Sequence, residues 1–157
     1  MTTEIARFIQ RLERIWDEHT EAVLDRRDLA AALRDAASEP SVRHLPAGTG
    51  AAGRAALEHF YTADFFPHLP ADLVRSRISR TVDRFRLVDE TAVTFTHDRE
   101  LPWLLPGAPP TGRRADVVAV TVAQFRRGQL QAVRVRWDHA TLTAQLGLPA
   151  LVPAPPG

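Results

Sequence analysis

Ile5, Phe8, Ile9, Leu12, Ile15 and Trp16 recur at three- and four-residue spacings, with Arg7, Arg11, Arg14 and Asp17 off that stripe. The pattern predicts an amphipathic helix that buries one face. A second helix is expected to start with Asp28 as its N-cap, bury Leu29, Ala32, Leu33 and Ala36, and stop before Pro40, because proline cannot continue a helix. Residues 40–50 read as a loop. A third helix over about 51–65 carries Ala52, Ala56, His59, Phe60 and Ala63 along one side until Pro67 closes it.

After Pro70 the period changes to two, the signature of strands. Residues 73–80 alternate, with Arg75, Arg77 and Ser79 opposite Val74, Ser76 and Ile78, and a turn follows at 82–84. A long strand over 85–99, with a bulge near Asp89 allowed for, places Leu87, Val93, Phe95 and His97 on one face. In a third strand over 113–126, Val118, Val120, Val122 and Gln124 oppose Val117, Ala119, Thr121 and Phe125. The pair Arg127-Gly128 turns it into a fourth strand over 129–138. Residues 139–146 form a short closing helix with Gly147 at its left-handed C′ position. Helices first and a meander of about four strands afterwards predict an α+β fold: helices on one face of a curved antiparallel sheet, with a pocket at the seam.

Composition narrows the chemistry. The 157 residues suit a single domain, expected over 1–148, followed by a Pro-rich tail over 149–157. The formal charge of +1 offers no field to draw in nucleic acid or an anionic membrane, so neither is an expected partner. The N-terminal segment, with Glu4 and Arg7 in its first turn, does not read as a signal peptide, and apolar runs such as 117–120 fall far short of the roughly 20 residues that span a bilayer. A cytoplasmic location is expected. All 20 basic residues are Arg, and Cys is absent, which removes thiolate nucleophiles, thiolate metal sites and Schiff-base chemistry. None of Ser38, Ser41, Ser76 or Ser79 sits in a G-x-S-x-G elbow. The six His show no metal-ligand spacing, and Gly48-Thr49-Gly50 lacks the Lys of a phosphate loop, so no cofactor is expected. His, Asp, Glu, Arg and Tyr61 remain.

Five short stretches then stand out: Phe95-Thr96-His97-Asp98; L-P-G-A-P-P-T-G-R over 105–113; Gly128-Gln129-Leu130; Trp137-Asp138; and Gln145-Leu146-Gly147. Together, over about 78–148, they resemble the SnoaL-like polyketide cyclase family of the nuclear-transport-factor-2-like superfamily. The resemblance implies a cone of helices and bent sheet, and members that include cyclases, isomerases, epoxide-opening enzymes and pure binding proteins. It therefore implies an enzyme that cyclises or isomerises a small hydrophobic, oxygenated, polyketide-like metabolite, with epoxide opening, hydrolysis or ligand binding alone as alternatives. It also implies a homodimer formed through the sheet's outer face.

The resemblance places the catalytic Asp at Asp138, whose other reading is the N-cap of the helix that follows. His97 would donate to an enolate oxygen or position a carbonyl; its other reading is a core or rim histidine. Arg136, with Arg134, shares strand parity with Asp138 and resembles the Arg-Asp arrangement of epoxide-opening relatives, which needs a second carboxylate from Asp89, Asp98 or Asp116. The two parities exclude each other: if Val133, Val135 and Trp137 face the core, the arginines face solvent. Trp103, Trp137, Tyr61, Phe60 and Phe95 are the expected substrate contacts, with the stiff loop over 101–112 as a wall.

Overall fold

Helix α1 (Glu4–Thr20) starts where the Thr3 side chain accepts the Ala6 N–H at 3.1 Å, and the apolar stripe buries Leu12 and Trp16. The computed structural model describes residues 3–151, so the expected tail lies mostly outside the described residues. Past α1 the chain makes a wider helical turn (Glu21–Arg26), then α2 (Leu29–Ala32), β1 (Ala36–Leu45) and β2 (Thr49–Ala52). Helix α3 (Arg54–His59) runs into a second wide turn (Phe60–Phe65); β3 (Val74–Val82), β4 (Arg86–Thr96), β5 (Arg114–Arg126), β6 (Gln129–Trp137) and α4 (His139–Leu146) follow. No helix among the described residues is long and apolar enough to cross a membrane.

The architecture is α+β, helices on a curved sheet, as the pattern predicts. The meander is β3 to β6, but the sheet has six strands in the order β2-β1-β6-β5-β4-β3, with β1 parallel to β6 and the other pairs antiparallel. The two further strands occupy the region expected to be helix end and loop. Pro40 does not break β1, because the β1–β6 register jumps between Ala36 and Ser41, and its missing N–H falls in that gap. Asp28 caps α2 as expected, its side chain accepting the Ala31 N–H, but the helix lasts one turn and Ala36 already belongs to β1. The third helix begins at Arg54, since Ala51 and Ala52 pair with Val42 and Ser41. The helix and its wide turn bury Leu57, Phe60, Tyr61 and Phe65; Ala56, His59 and Ala63 are exposed.

The strand irregularity also lies elsewhere than expected. Strand β4 alternates without a break, so Asp89 and Thr91 join Leu87, Val93 and Phe95 on the inner face. The extra residue is Ile78 on β3: Arg77 pairs with Thr91, but Ser79 pairs with Glu90 and Arg80 with Asp89. The bulge reverses parity, so Arg75, Arg77 and Arg80 all line the inside.

Across the strands, the inner face is built in rows. One row is apolar: Val82, Leu87, Ala123, Val133 and Val42. The next holds Arg80, Asp89, Thr121, Val135 and His44, and the one after it Arg77, Thr91, Ala119 and Trp137. Neighbouring strands lie about 4.8 Å apart, so each row is a ruler across the site. The α4 end is set by Asp138, whose carboxylate accepts the Thr141 N–H at 3.3 Å, and by Gly147 at φ 66°.

Gly50 secures the β1–β2 hairpin and with it the wall that carries His44. Its φ is +134°, and a Cβ there would sit 1.9 Å from the Val42 carbonyl oxygen. Gly107 is also left-handed, at φ +81°, but a Cβ at that position would meet nothing within 4 Å. Gly50→Ala is therefore expected to destabilise well beyond Gly107→Ala, which carries only the left-handed penalty of about 1–2 kcal/mol. Thermal unfolding of both variants checks this, and equal melting temperatures would refute it.

Candidate functional site

A cavity of about 170 Å³ opens between α1, the wide turn after α3 and the concave sheet face. Its walls are largely apolar, with Val23, Phe65, Trp103, Val133, Val135 and Trp137 among them, and all three tryptophans of the chain line it. Into this lining the sheet rows project a small polar set: Arg80 and Asp89 on one side, Thr121 between, His44 on the other.

Asp89 is 7% exposed and accepts three hydrogen bonds. Arg80 reaches it through Nε at 2.7 Å and a terminal amine at 2.9 Å, and the Trp16 indole N–H donates at 3.0 Å. The two-pronged guanidinium contact fixes the carboxylate plane, and Trp16 ties that carboxylate to α1. Arg80 also binds Asp17 at 2.7 Å, so one guanidinium bridges two carboxylates from different elements. The bond to Asp89, joined by the bond to Asp17 and opposed by burial, holds the Arg80 guanidinium above its ordinary pKa.

His44 is held by rings. It lies 5.6 Å from Phe65 and 6.3 Å from Trp137, both stacked, and 5.2 Å from Trp103. The Trp137 indole N–H donates to His44 Nδ1 at 3.2 Å, which leaves the imidazole proton on Nε2. Burial without a charged partner pushes the His44 pKa down to about 3, so the ring is neutral at ordinary pH and serves as a donor. Burial likewise pushes the Tyr61 phenol above its ordinary value and keeps its proton on. No described residue hydrogen-bonds the Tyr61 hydroxyl, and Tyr61 lines the cavity.

The residues expected from sequence divide. Trp103, Trp137 and Tyr61 line the cavity. Phe60 stands behind it, 6.2 Å from His44, and Phe95 is fully buried in the core beneath. Asp138 is exposed on the cap of α4, bonded also by the Thr141 hydroxyl at 2.7 Å, and does not reach the cavity. Its strand has ended with Trp137 facing in, so the following side chain turns outward. Arg136 is exposed on the outer face, opposite Val120, and Arg134 shares that face, because Val133, Val135 and Trp137 take the inner one.

His97 is buried at the end of β4 and outside the cavity. Its Nδ1 accepts the Thr111 N–H at 3.3 Å, clasping the loop that connects β4 to β5, and burial lowers its pKa. Of the three carboxylates considered for pairing with an arginine, Asp98 is exposed on Arg99 and Asp116 is exposed on the outer face; Asp89 faces the cavity.

His44 and Arg80 are the polar residues that the sequence pattern did not mark. Both left a trace. Val42 and His44 alternate with Ser41 and Arg43 in a stretch that reads as loop, and Arg80 continues the Arg75, Arg77 series once one residue is skipped.

No family model matches the chain, and no curated protein matches it. Solved structures do. A candidate SnoaL-like polyketide cyclase from Jannaschia sp. CCS1 superposes with a TM-score of 0.69 at 18% identity, covering 94% of this chain and 97% of that one. AclR, a candidate hydroxylase from Streptomyces galilaeus, gives 0.66 at 19% identity over 92% and 90% of the two chains. An NTF2-like protein of unknown function from Burkholderia pseudomallei gives 0.64 at 20% identity over 87% and 97%. With its helices seated on a bent six-stranded sheet, the chain has the NTF2-like fold of the SnoaL-like structures.

Proposed function

We propose that this protein is a cofactor-independent enzyme that performs acid–base chemistry on a small hydrophobic, oxygenated molecule, cyclising or isomerising it through an enolate. The observation that carries this reading is the pairing, within one apolar cavity, of an oriented carboxylate with a neutral imidazole donor. Asp89 takes the proton alpha to a carbonyl, the role expected of Asp138, and His44 Nε2–H, with the Tyr61 hydroxyl, stabilises the oxygen on which charge develops. A neutral donor suits that role because it strengthens its hydrogen bond as charge builds, without bringing a competing acid proton into the ground state. Asp89 and His44 lie three strand spacings apart in one row, about 14 Å along the sheet, and both line the cavity on its concave face, on opposite sides of a bound ligand.

A second reading has its own support. Arg80 clamped between Asp89 and Asp17 supplies the Arg-and-two-carboxylate arrangement that water addition to an epoxide needs, with Arg80 orienting the carboxylate that activates water.

Deuterium uptake by 2-tetralone in heavy water, followed by mass spectrometry, tests proton abstraction without knowledge of the natural substrate. Exchange is expected to exceed the buffer rate and to fall about 10²- to 10⁴-fold in folded Asp89→Asn protein. Exchange at the buffer rate with wild-type protein would sink the enolate reading, and ¹⁸O from labelled water in the diol formed from cyclohexene oxide would put the second in its place.

The neutral His44 also sets an acid limit. Its folded pKa is depressed, so between pH 6.5 and about 3 the unfolded chain takes up a proton that the folded chain refuses. The contribution of His44 to stability is full above pH 6.5 and falls as pH drops through that window, by as much as roughly 5 kcal/mol. His44→Phe keeps the stacked ring and is expected to flatten the decline in melting temperature between pH 6.5 and 4; an unchanged slope would contradict a buried neutral histidine.

A further inference from the structure

Three successive inward positions of the edge strand β3 are arginines, and they are not equivalent. Arg80 is saturated by Asp89 and Asp17, with Glu13 at 3.5 Å. Arg75 is steadied by Asp25 through one terminal amine at 2.9 Å, while its Nε is buried with no hydrogen-bond partner. Arg77 stands between them at the cavity mouth, exposed, its side chain making no ion pair or hydrogen bond to any described residue. The acidic groups near the mouth are therefore committed to Arg75 and Arg80, and one guanidinium faces the cavity uncommitted beside an orphaned N–H donor.

Resting on the reading of this cavity as the substrate site, we propose that its ligand carries a carboxylate, seated at the mouth by Arg77, with the apolar body of the molecule among Trp103, Trp137 and Phe65. The planar fork of Arg77 matches a carboxylate through two parallel N–H donors, and the neighbouring Arg75, held on Asp25, adds a second positive charge beside it. The rows set the orientation. Arg77 shares its row with Thr91, Ala119 and Trp137, one step towards the mouth from the Arg80–Asp89–Thr121–His44 row. A carboxylate held on Arg77 thus leaves the remainder of the ligand over Asp89 and His44, and the substrate class becomes a cyclic or aromatic oxo acid.

Because Trp16, Trp103 and Trp137 all line the cavity, tryptophan emission reports its occupancy. Benzoate, cyclohexanecarboxylate and 4-phenylbutyrate are titrated against their methyl esters. The acids are expected to bind at least about tenfold more tightly than the esters in wild-type protein, and Arg77→Gln to abolish that preference while leaving ester affinity in place. Arg86→Gln, on the exposed outer side of β4, should leave the preference intact. Acids that bind no better than their esters, or an Arg77→Gln protein that keeps the preference, would overturn the proposal; the latter result assigns Arg77 to shielding the sheet edge. The outcome separates from that of the proton-abstraction test. Deuterium exchange into neutral 2-tetralone needs Asp89 but no carboxylate on the ligand, so either result can fail while the other stands.

Discussion

One extra residue, Ile78, decides what the inside of this protein is made of. A strand presents alternate residues to each face, and an unbroken β3 would turn Ser79 inward and leave Arg80 on the outside. The bulge instead sets Arg80 directly opposite Asp89, where it can bind that carboxylate on one side and Asp17 of α1 on the other. A helix, an edge strand and a central strand are thereby joined at one guanidinium beside the cavity. Burial makes this junction demanding: an unpaired carboxylate at the position of Asp89 would suffer the full loss of hydration. Arg80 and Trp16 together satisfy it.

The far wall is organised by a different interaction with the same purpose. His44 lies among aromatic rings, where a charged imidazole would be poorly solvated, and the Trp137 N–H occupies the nitrogen that faces it. Burial removes the charge and the hydrogen bond chooses the tautomer. The cavity thus has a fixed acceptor at one end of a row and fixed donors at the other, in a medium where such dipoles act more strongly than in water. Nothing need reorganise when charge shifts from one side of a bound ligand to the other.

Much of the scaffold is legible in the sequence because it is local. The stripe of α1, the Asp28 cap, the Arg127-Gly128 turn and the Gly147 stop are each written in a few adjacent residues. The strands β3 to β6 follow from alternation, and β4 even shows the inward parity of Asp89 once it is read without a bulge. What is not legible is non-local. Pro40 looks like a break until the gap in the β1–β6 register absorbs it, and without β1 there is no His44 wall. The skipped residue at Ile78 is visible only against β4. Asp138 misleads for the opposite reason: as a strand-ending Asp it fits both a cap and a catalytic carboxylate, and pairing with Thr141 commits it to the cap.

The proposed chemistry turns on His44 being a neutral donor with its proton on Nε2. Nitrogen-15 NMR of histidine-labelled protein reads this directly. One protonated and one unprotonated ring nitrogen are predicted for His44, assigned by their loss in His44→Phe, with shifts constant from about pH 8 to 5. A His44 signal that titrates with a midpoint near 6.5, or one that carries its proton on Nδ1, would contradict it.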